Sequence, residues 1–263
     1  MELIDIDKSN EGTFFRCLHD EKPADPDLIS MRRKWYERFK DKGLRAKLLI
    51  DDANRTVGLC QYIPIEYSHI LGEKLMAILC IWVHGYEHLV GNQQKKGHGR
   101  YMLQKIEEDS RSAGMSGVAA WGMDFPYWNP VSFYEHMGYV RADENQPVVL
   151  VWKAFDSDAK PPRLLKQNRE LPAGIHKVNL VAFRNGWCSG CGYVLACREA
   201  IKGLEDMVHY SEIDTSEKKV RNDYGIDNEI FLDGKPFRPY EPPWPASELR
   251  DSILEAYRKK ENG

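Results

Sequence analysis

The longest apolar run of the chain, Leu75–Val83, places nine hydrophobic residues in succession. A strand covered on both faces has this pattern, and the run is well short of the ~20 residues that span a membrane. Further along, apolar residues recur at helical spacing at Met102, Leu103 and Ile106, until Gly114 supplies a stop signal. The pattern therefore predicts a buried strand, a loop and an amphipathic helix.

The loop between this strand and this helix has the spacing Gln-x-x-Gly-x-Gly, which differs from the dinucleotide-binding fingerprint and from the Walker loop. The first N–H groups of a helix lack internal partners, and the helix dipole favours negative charge there. Glycines let a bulky anion approach the backbone closely, so we predict a phosphate-binding site at this helix start. Its candidate residues are Gln94, Lys95, Lys96, Gly97, His98, Gly99 and Arg100.

Periodicity and turn signals predict the other elements of the first 155 residues. Strands are expected at Glu2–Asp7, Ala46–Asp51, Val57–Tyr67, Val118–Met123 and Pro147–Phe155. Helices are expected at Thr13–His19, Asp27–Lys42 and Pro130–Met137. The composition then changes to Asp-Ser-Asp-Ala-Lys-Pro-Pro-Arg at residues 156–163, which is typical of a linker. We therefore predict a first domain at 1–155, a linker at 156–172 and a second domain at 173–263.

The second domain repeats the alternation of strands and helices. Strands are expected at Lys177–Phe183, Val208–Ile213 and Glu229–Leu232, with a further short strand after Asp233-Gly234. Helices are expected at Tyr193–Met207, from a cap at Asp214 or Thr215 to Tyr224, and at Ser247–Lys260.

Charge and composition narrow the class of protein. The 263 residues are 42% hydrophobic and 29% charged, and the net charge of −3 argues against a nucleic-acid partner. The basic cluster at 32–34 is interpreted as a solvated face. The first residues lack the basic start and apolar run of a signal peptide, so we expect a cytoplasmic protein without a membrane partner and with mostly reduced cysteines. The oligomeric state does not follow from the sequence.

Two segments carry a resemblance to a known superfamily. The Gln94–Gly99 segment resembles motif A of the GNAT N-acetyltransferases, and Phe133–Tyr139, Phe-Tyr-Glu-His-Met-Gly-Tyr, resembles their "FYEKLGF" segment. The resemblance implies an α/β (α+β) fold built on a mixed, mostly antiparallel sheet. It also implies acetyl-CoA as cofactor and acyl transfer to an amine, which we expect to belong to a small molecule.

The resemblance also implies roles for particular residues. In GNAT proteins the buried strand splays from its neighbour, and its free backbone groups bind pantetheine and polarise the thioester carbonyl. The residues at that position are Ile81, Trp82 and Val83. Tyr134 stands where the family places a general acid near the cofactor sulfur, although a core aromatic would give the same pattern.

The base that deprotonates the amine is left open. His84 and Glu87 follow the end of the buried strand, and Asp124 follows the next strand, so each is a candidate. Some family members use only a chain of water molecules. The aromatic residues nearby form either an acceptor pocket or part of the core: Trp121, Phe125, Tyr127 and Trp128.

A Cys-x-x-Cys sequence, Cys188 and Cys191, lies between the first strand and first helix of the second domain. With the element order, it resembles a thioredoxin fold, and nearly the whole chain resembles YoaP-like N-acetyltransferases. The proline that precedes the third strand in thioredoxins is replaced by Asn228-Glu229. We predict a redox or thiol-binding pair with Cys188 as nucleophile. The alternatives for these cysteines are a soft-metal site that includes Cys197, or thiols without a function. The alternative for the whole protein is a sensor that binds acyl-CoA without turnover.

Overall fold

The computed structural model describes residues 1–17, 25–126, 129–188, 192–239 and 245–261. The chain divides into two compact units, Met1–Leu164 and Leu165–Gly263. The division falls inside the linker predicted at 156–172. Within the described ranges, no helix combines the length and the apolar character needed to cross a membrane.

The first unit contains a seven-stranded sheet. Its strands are β1 (Glu2–Asp5), β2 (Arg45–Ile50), β3 (Thr56–Pro64), β5 (Met76–Val83), β6 (Gly117–Met123), β7 (Val140–Asn145) and β8 (Val148–Ala154). They lie in the order β1-β2-β3-β5-β6-β8-β7. The pair β5 and β6 is parallel, and all other neighbours are antiparallel. The predicted mixed, mostly antiparallel sheet is therefore confirmed. Two short strands, β4 (Ile70–Leu71) and β9 (Arg163–Leu164), pair separately.

Helices cover both faces of this sheet. They are α1 (Glu11–Arg16), α2 (Pro26–Phe39), α3 (His98–Ser112) and α4 (Val131–Glu135). Consecutive strand residues point to opposite faces, and Leu48 and Leu49 show the division. Leu48 packs in the cluster that contains Phe14 and Phe15 of α1, whereas Leu49 packs in the cluster that contains Met102 of α3.

Several boundaries differ from those predicted. The predicted strand at 57–67 ends at Pro64, where a 3₁₀ turn, Ile65–Tyr67, begins. The helix predicted to reach Lys42 ends at Phe39 and continues as a 3₁₀ turn that Gly43 closes in the left-handed conformation. Strand β7 was not predicted, because its sequence, Val-Arg-Ala-Asp-Glu-Asn, is the polar one of an edge strand. Residues 18 and 19 of the first predicted helix lie outside the described residues.

The second unit contains a four-stranded sheet in the order β11-β10-β12-β13. The strands are β10 (Val178–Arg184), β11 (Val208–Asp214), β12 (Ile230–Leu232) and β13 (Lys235–Pro236). β10 is parallel to β11 and antiparallel to β12, which is antiparallel to β13. The helices are α5 (Gly192–Ala200), α6 (Lys218–Tyr224) and α7 (Ala246–Glu261), and α5 and α7 share one apolar cluster with β10.

Two helices of this unit are shorter than predicted. α5 ends at Ala200 rather than Met207, because the chain turns at Gly203, whose φ is 71°. α6 begins at Lys218 with Glu217 as its N-cap, rather than at Asp214 or Thr215. Asp214 accepts hydrogen bonds from Ser216, and the Thr215 hydroxyl donates to the Asp227 carbonyl, so neither side chain caps the helix.

Candidate functional site

Strands β5 and β6 separate within the sheet. Their ladder holds only two pairs, Met76 with Val118 and Ala77 with Ala119. On its other side β5 stays paired with β3 as far as Val83. A gap therefore opens between β5 and β6 beyond Ala77, which is the separation that the family resemblance implied.

A β-bulge lies where the gap begins. Tyr62 of β3 pairs with Ile78, and the next β3 residue, Gln61, pairs with Cys80, so Leu79 is the extra residue. The carbonyl of Leu79 accepts a hydrogen bond of 3.2 Å from the Trp121 indole of β6. A side chain thus joins the two strands where their backbone ladder has ended.

Of the three residues predicted to offer backbone groups to a ligand, Ile81, Trp82 and Val83, only two face this gap. In an antiparallel pair, alternate residues direct their N–H and C=O groups toward the partner strand. His84 N–H donates to Val57 O at 2.9 Å. By alternation, Trp82 also bonds toward β3, whereas the backbone groups of Ile81 and Val83 point into the gap. The Trp82 carbonyl oxygen lies accordingly 2.8 Å from where a Cβ would stand on Gly58.

Helix α3 begins beyond the end of β5, and its start has open amide groups. Gly97 is the N-cap, with φ 84° in the left-handed region that favours glycine. The Tyr101 N–H donates to Gly97 O at 3.0 Å, whereas the amides of 97–100 have no backbone acceptor within the described chain. A Cβ on Gly97 would meet no atom within 4 Å. The helix start thus combines unpaired amides with open space beside Gly97, and the phosphate site predicted there stays a prediction.

The loop before α3 is fixed by Gln93, which the sequence analysis did not single out. Its side chain is 5% exposed; Nε2 donates to Val90 O at 2.7 Å, and Oε1 accepts from Lys96 Nζ at 3.1 Å. By contrast, Gln94 is exposed, and its amide group lies against Gly85. No sequence pattern distinguishes a glutamine whose buried side-chain amide bonds to other residues of its own loop.

His84, which directly follows β5, contacts the segment that leads into this loop. Its ring is 2% exposed, and Nε2 lies 2.9 Å from the His88 carbonyl oxygen. A carbonyl can only accept, so Nε2 carries the proton. The His84 ring also contacts the rings of Tyr86 and His88 edge-on. Glu87 is exposed between them.

His98 is the first residue of α3. Its Nδ1 is buried and has no hydrogen-bond partner in the described part of the chain. Burial lowers the pKa of His98, and the charge of Lys96 lowers it further. The ring is therefore held toward its neutral form beside the open amides, while Lys95 and Arg100 are exposed on either side.

Tyr134 is positioned by the attachment of α4 to β6. Met123 N–H donates to Asn129 O at 2.8 Å, and Asn129 Nδ2 donates to Trp121 O at 2.9 Å. A Cβ on Gly122 would stand 2.8 Å from the Val131 Cα, so the close approach requires glycine. These contacts fix the first turn of α4, and Tyr134 follows one turn later.

Tyr134 is 2% exposed and packs in the core cluster beneath α3. Burial raises the pKa of its phenol, and Cys80 raises it further. Ile78 of β5 belongs to the same cluster, and Ile81 and Val83 pack against it, so Tyr134 lies near the part of β5 that borders the gap. Within the described residues its hydroxyl has no hydrogen-bond partner.

The remaining candidates lie apart from this arrangement. Asp124 is 40% exposed and pairs with Arg141 at 3.4 Å, and Arg141 also pairs with Glu135 at 2.7 Å. Phe125 is half-buried, while Tyr127 and Trp128 lie outside the described residues.

The interpretation of residues 32–34 as one solvated basic face was wrong for Arg32. Arg33 and Lys34 are exposed, but Arg32 is 1% exposed. Arg32, Trp35 and Phe39 are buried together at helical spacing on α2. The spacing could have revealed this position, had the charge of the residue not argued for the surface.

In the second unit, Cys188 follows β10 and is half-buried, whereas Cys191 lies outside the described residues. Cys197 is fully buried in the cluster between α5 and β10, and burial raises its pKa to about 12. At the start of β12, burial and the neighbouring charge of Asp227 raise the pKa of Glu229 to about 7.

Comparison with known proteins gives one curated relative. No family model matches the chain. Over 176 residues the chain is 28% identical to the uncharacterized N-acetyltransferase YoaP of Bacillus subtilis (strain 168). The matched region covers 60% of this chain and 63% of that protein, which is less than two thirds of the relative's length.

Solved structures of acetyltransferases are similar to part of the chain. A GNAT-family acetyltransferase from Staphylococcus aureus Mu50 gives a TM-score of 0.42 at 13% identity, covering 59% of this chain and 99% of that one. A spermidine N-acetyltransferase from Vibrio cholerae, in complex with CoA and spermine, gives 0.43 at 18% identity, covering 58% and 94%.

Proposed function

We propose that the protein is an acetyl-CoA-dependent N-acyltransferase of the GNAT type that acts on a small-molecule amine. The observation that carries the proposal is the gap between β5 and β6, which leads to the open N-terminus of α3. A separated strand offers unpaired backbone groups to an extended ligand arm, and a helix start offers N–H groups to its phosphates. The similarity to YoaP supports the same reading.

The residues present fit this cofactor. Gly97 leaves open space at the helix start, the amides of 97–100 have no backbone acceptor among the described residues, and Lys95 and Lys96 add positive charge nearby. These groups would bind the pyrophosphate, with His98 beside them. Ile81 and Val83 would hold the pantetheine arm by their backbone groups, while Trp82 maintains the ladder to β3. Acetyl-CoA supplies an acyl group activated as a thioester.

Tyr134 acts as the general acid in this proposal. As the acyl group moves from sulfur to the amine nitrogen, the sulfur takes up a proton and the nitrogen loses one. Because burial raises the pKa of Tyr134, its Oη is protonated throughout the physiological pH range. It is therefore able to donate its proton to the departing sulfur.

We assign the base to Glu87 among the three candidates. Asp124 is ion-paired with Arg141, and Nε2 of His84 donates to a backbone carbonyl. Glu87 has neither an ion pair nor a hydrogen bond within the described part of the chain, and it lies just beyond the end of β5. Its carboxylate is thus available to take the amine proton, directly or through water.

The proposal is tested by binding and by turnover. Acetyl-CoA should raise the melting temperature in a concentration-dependent way, because it binds only the folded state. CoA release, followed with a thiol reagent after removal of the protein, should depend on an added amine. Binding without CoA release from a broad amine panel would favour the acyl-CoA sensor, and the absence of binding would contradict both functions.

For the second unit we propose a thioredoxin-like thiol module. The specific support is its strand order, β11-β10-β12-β13, with β10 parallel to β11 and the two other strands antiparallel. Cys188 follows the central strand β10, where the chain leads into α5. In this proposal Cys188 is the nucleophile and Cys191 the thiol that resolves it.

A further inference from the structure

Arg32 of α2 carries a buried guanidinium that has no counter-ion among the described residues. The side chain is 1% exposed, and Nη2 donates to Oε1 of Gln61 at 3.2 Å. Its Cζ lies 4.1 Å from the centre of the Phe14 ring. Nε and Nη1 are buried without a hydrogen-bond partner, and no carboxylate pairs with the group within the described ranges.

The next residue on α2, Arg33, is an arginine whose charge is paired with a carboxylate. Arg33 also lies over a phenylalanine of α1, with its Cζ 4.4 Å from the centre of the Phe15 ring. Unlike Arg32, it donates to Glu11 Oε1 at 2.7 Å, and its side chain is 44% exposed. The two arginines share a helix and a type of ring contact, and differ in burial and in charge compensation.

An uncompensated buried charge opposes folding. Removing a guanidinium from water has a large desolvation cost, which a neutral amide and an aromatic ring offset only in part. Replacing such a charge with an apolar side chain of similar volume is often neutral or stabilising. Arg32 is therefore poorly explained as a stabilising residue, and its open donors fit an anion that comes from outside the chain.

The position of Arg32 connects it to the gap. Its partner Gln61 is paired directly with Cys80 of β5, and side chains of directly paired residues share one face of a sheet about 5 Å apart. Cys80 in turn follows Leu79, the bulge residue at which the gap between β5 and β6 begins. Arg32, Gln61 and Cys80 thus form a short series that leads from α2 to the start of this gap.

We infer that Arg32 binds an anionic group of the acceptor, so that the substrate is an amine that also carries a carboxylate or a phosphonate. This inference rests on the proposed acyltransferase function. Guanidinium donors match the paired oxygens of either anion. The inference also excludes polyamines as preferred acceptors, because a positively charged chain beside Arg32 would be repelled.

The test compares acceptors that differ only in the anionic group. The panel holds amino acids with the amines left after removal of the carboxylate, such as L-ornithine with putrescine, and 2-aminoethylphosphonate with ethylamine. Wild-type protein should use the anionic member at a kcat/KM higher by roughly 10-fold to 100-fold, as expected for a charge-assisted contact. The carboxylate and phosphonate pairs distinguish the two sources of the anion.

Arg32→Met is the test variant, and Arg33→Met is the matched control on the same helix. Arg32→Met should abolish the preference for anionic acceptors, keep the melting-temperature shift by acetyl-CoA, and melt at or above the wild-type temperature. Arg33→Met should leave the preference unchanged. Calorimetric titration of the same panel into the CoA-bound protein should show that anionic members bind more tightly to wild type than to Arg32→Met.

The measurements distinguish a failure of the Arg32 inference from a failure of the proposed acyltransferase function. Arg32→Met melting well below wild type with an unchanged acceptor preference would show a structural role and overturn the inference. So would a wild-type protein that neither binds nor prefers the anionic members. Loss of the acetyl-CoA shift in wild type would instead contradict the proposed acyltransferase function, and that measurement does not involve Arg32.

Discussion

Gly99, in the first turn of α3, lies directly against the ring of Phe133 on α4. A Cβ on Gly99 would stand 3.1 Å from Cε2 and 3.2 Å from Cζ of that ring. Phe133 precedes Tyr134, and the two rings are in contact, with their centres 5.0 Å apart. Helix α3, proposed to bind the cofactor, and helix α4, which carries the proposed acid, therefore contact each other at Gly99. The contact depends on the absence of a side chain at this position.

Gly99→Ala should uncouple activity from stability. The added methyl group forces Phe133 to move by a few tenths of an ångström, while alanine in a helix gains up to about 1 kcal/mol over glycine. We expect a nearly unchanged melting temperature and a turnover lower by up to about tenfold. The control is Gly12→Ala in α1, where a Cβ would meet nothing within 4 Å. Equal turnover in the two variants would contradict the coupling.

Gly97→Glu should weaken acetyl-CoA binding through charge. The matched control is Gly97→Gln, which has the same size and the same backbone strain at φ 84°. A carboxylate about 5 Å from a phosphate costs on the order of 1–2 kcal/mol at an intermediate dielectric. Calorimetry should therefore show binding that is roughly 5-fold to 30-fold weaker for Glu than for Gln. Similar affinities would place the pyrophosphate away from this helix start.

Tyr134→Phe should retain acetyl-CoA binding and lower kcat by roughly 10²–10⁴-fold, which is the usual contribution of a general acid. The comparison is Tyr139→Phe, since Tyr139 is similarly buried and its ring centre lies 5.7 Å from that of Tyr134. Steady-state CoA release measures both variants. If Tyr134→Phe turns over like Tyr139→Phe, the hydroxyl of Tyr134 has only a packing role.

Glu229→Gln should flatten the pH dependence of stability. Burial and Asp227 raise the pKa of Glu229 from 4.5 to about 7. The folded state therefore binds a proton that the unfolded state has lost, and stability falls as the pH rises between about 4.5 and 7. The free energy of unfolding should drop by up to about 3 kcal/mol across this range. Urea titrations at pH 5 and pH 8 measure this change.

The control for Glu229 is Glu199→Gln, which alters an exposed carboxyl group of the same unit. It should keep the wild-type difference between pH 5 and pH 8, while Glu229→Gln should lose most of that difference. A wild-type protein that is equally stable at the two values would show that the Glu229 carboxyl is not protonated when buried.

Cys188 should react with iodoacetamide faster than Cys60 or Cys197. Cys188 is half-buried, whereas Cys60 and Cys197 have no exposed surface and burial raises the pKa of both thiols. Mild oxidation should then remove two titratable thiols, as Cys188 forms a disulfide with Cys191. Mass spectrometry that finds equal rates at the three cysteines would reduce the module to a scaffold. Joint protection that a chelator relieves would indicate a metal site.

The sequence predicted the elements that hydrophobic periodicity determines. The apolar run at 75–83 predicted β5 almost to the residue, and the spacing of Met102, Leu103 and Ile106 predicted α3 and its end near Gly114. The open helix start followed from Gly97, because its left-handed conformation is a property of the residue type. Strand β7 was not predicted because it is an edge strand, and edge strands carry charged residues that oppose pairing with other chains. Its sequence therefore lacks the apolar alternation by which strands are recognised.

The side-chain roles were less predictable, because they depend on contacts between distant segments. Arg32 follows the apolar spacing of Trp35 and Phe39, but a charge is normally solvated, and only the structure shows that it is buried. His84 stands where a base was expected, yet its Nε2 donates to His88 O. The distinction between Trp82 and its neighbours required the register with β3, which no local pattern encodes.

The separation of β5 from β6 has a consequence for hydrogen exchange. Cys80 and Trp82 direct their amides to β3, whereas Ile81 and Val83, by the same alternation, direct theirs into the gap. Four consecutive amides in the middle of a sheet should thus alternate between slow and fast exchange with deuterium. A ligand that fills the gap would slow the fast pair alone. Residue-resolved exchange can therefore detect an occupant of this gap before its chemical identity is known.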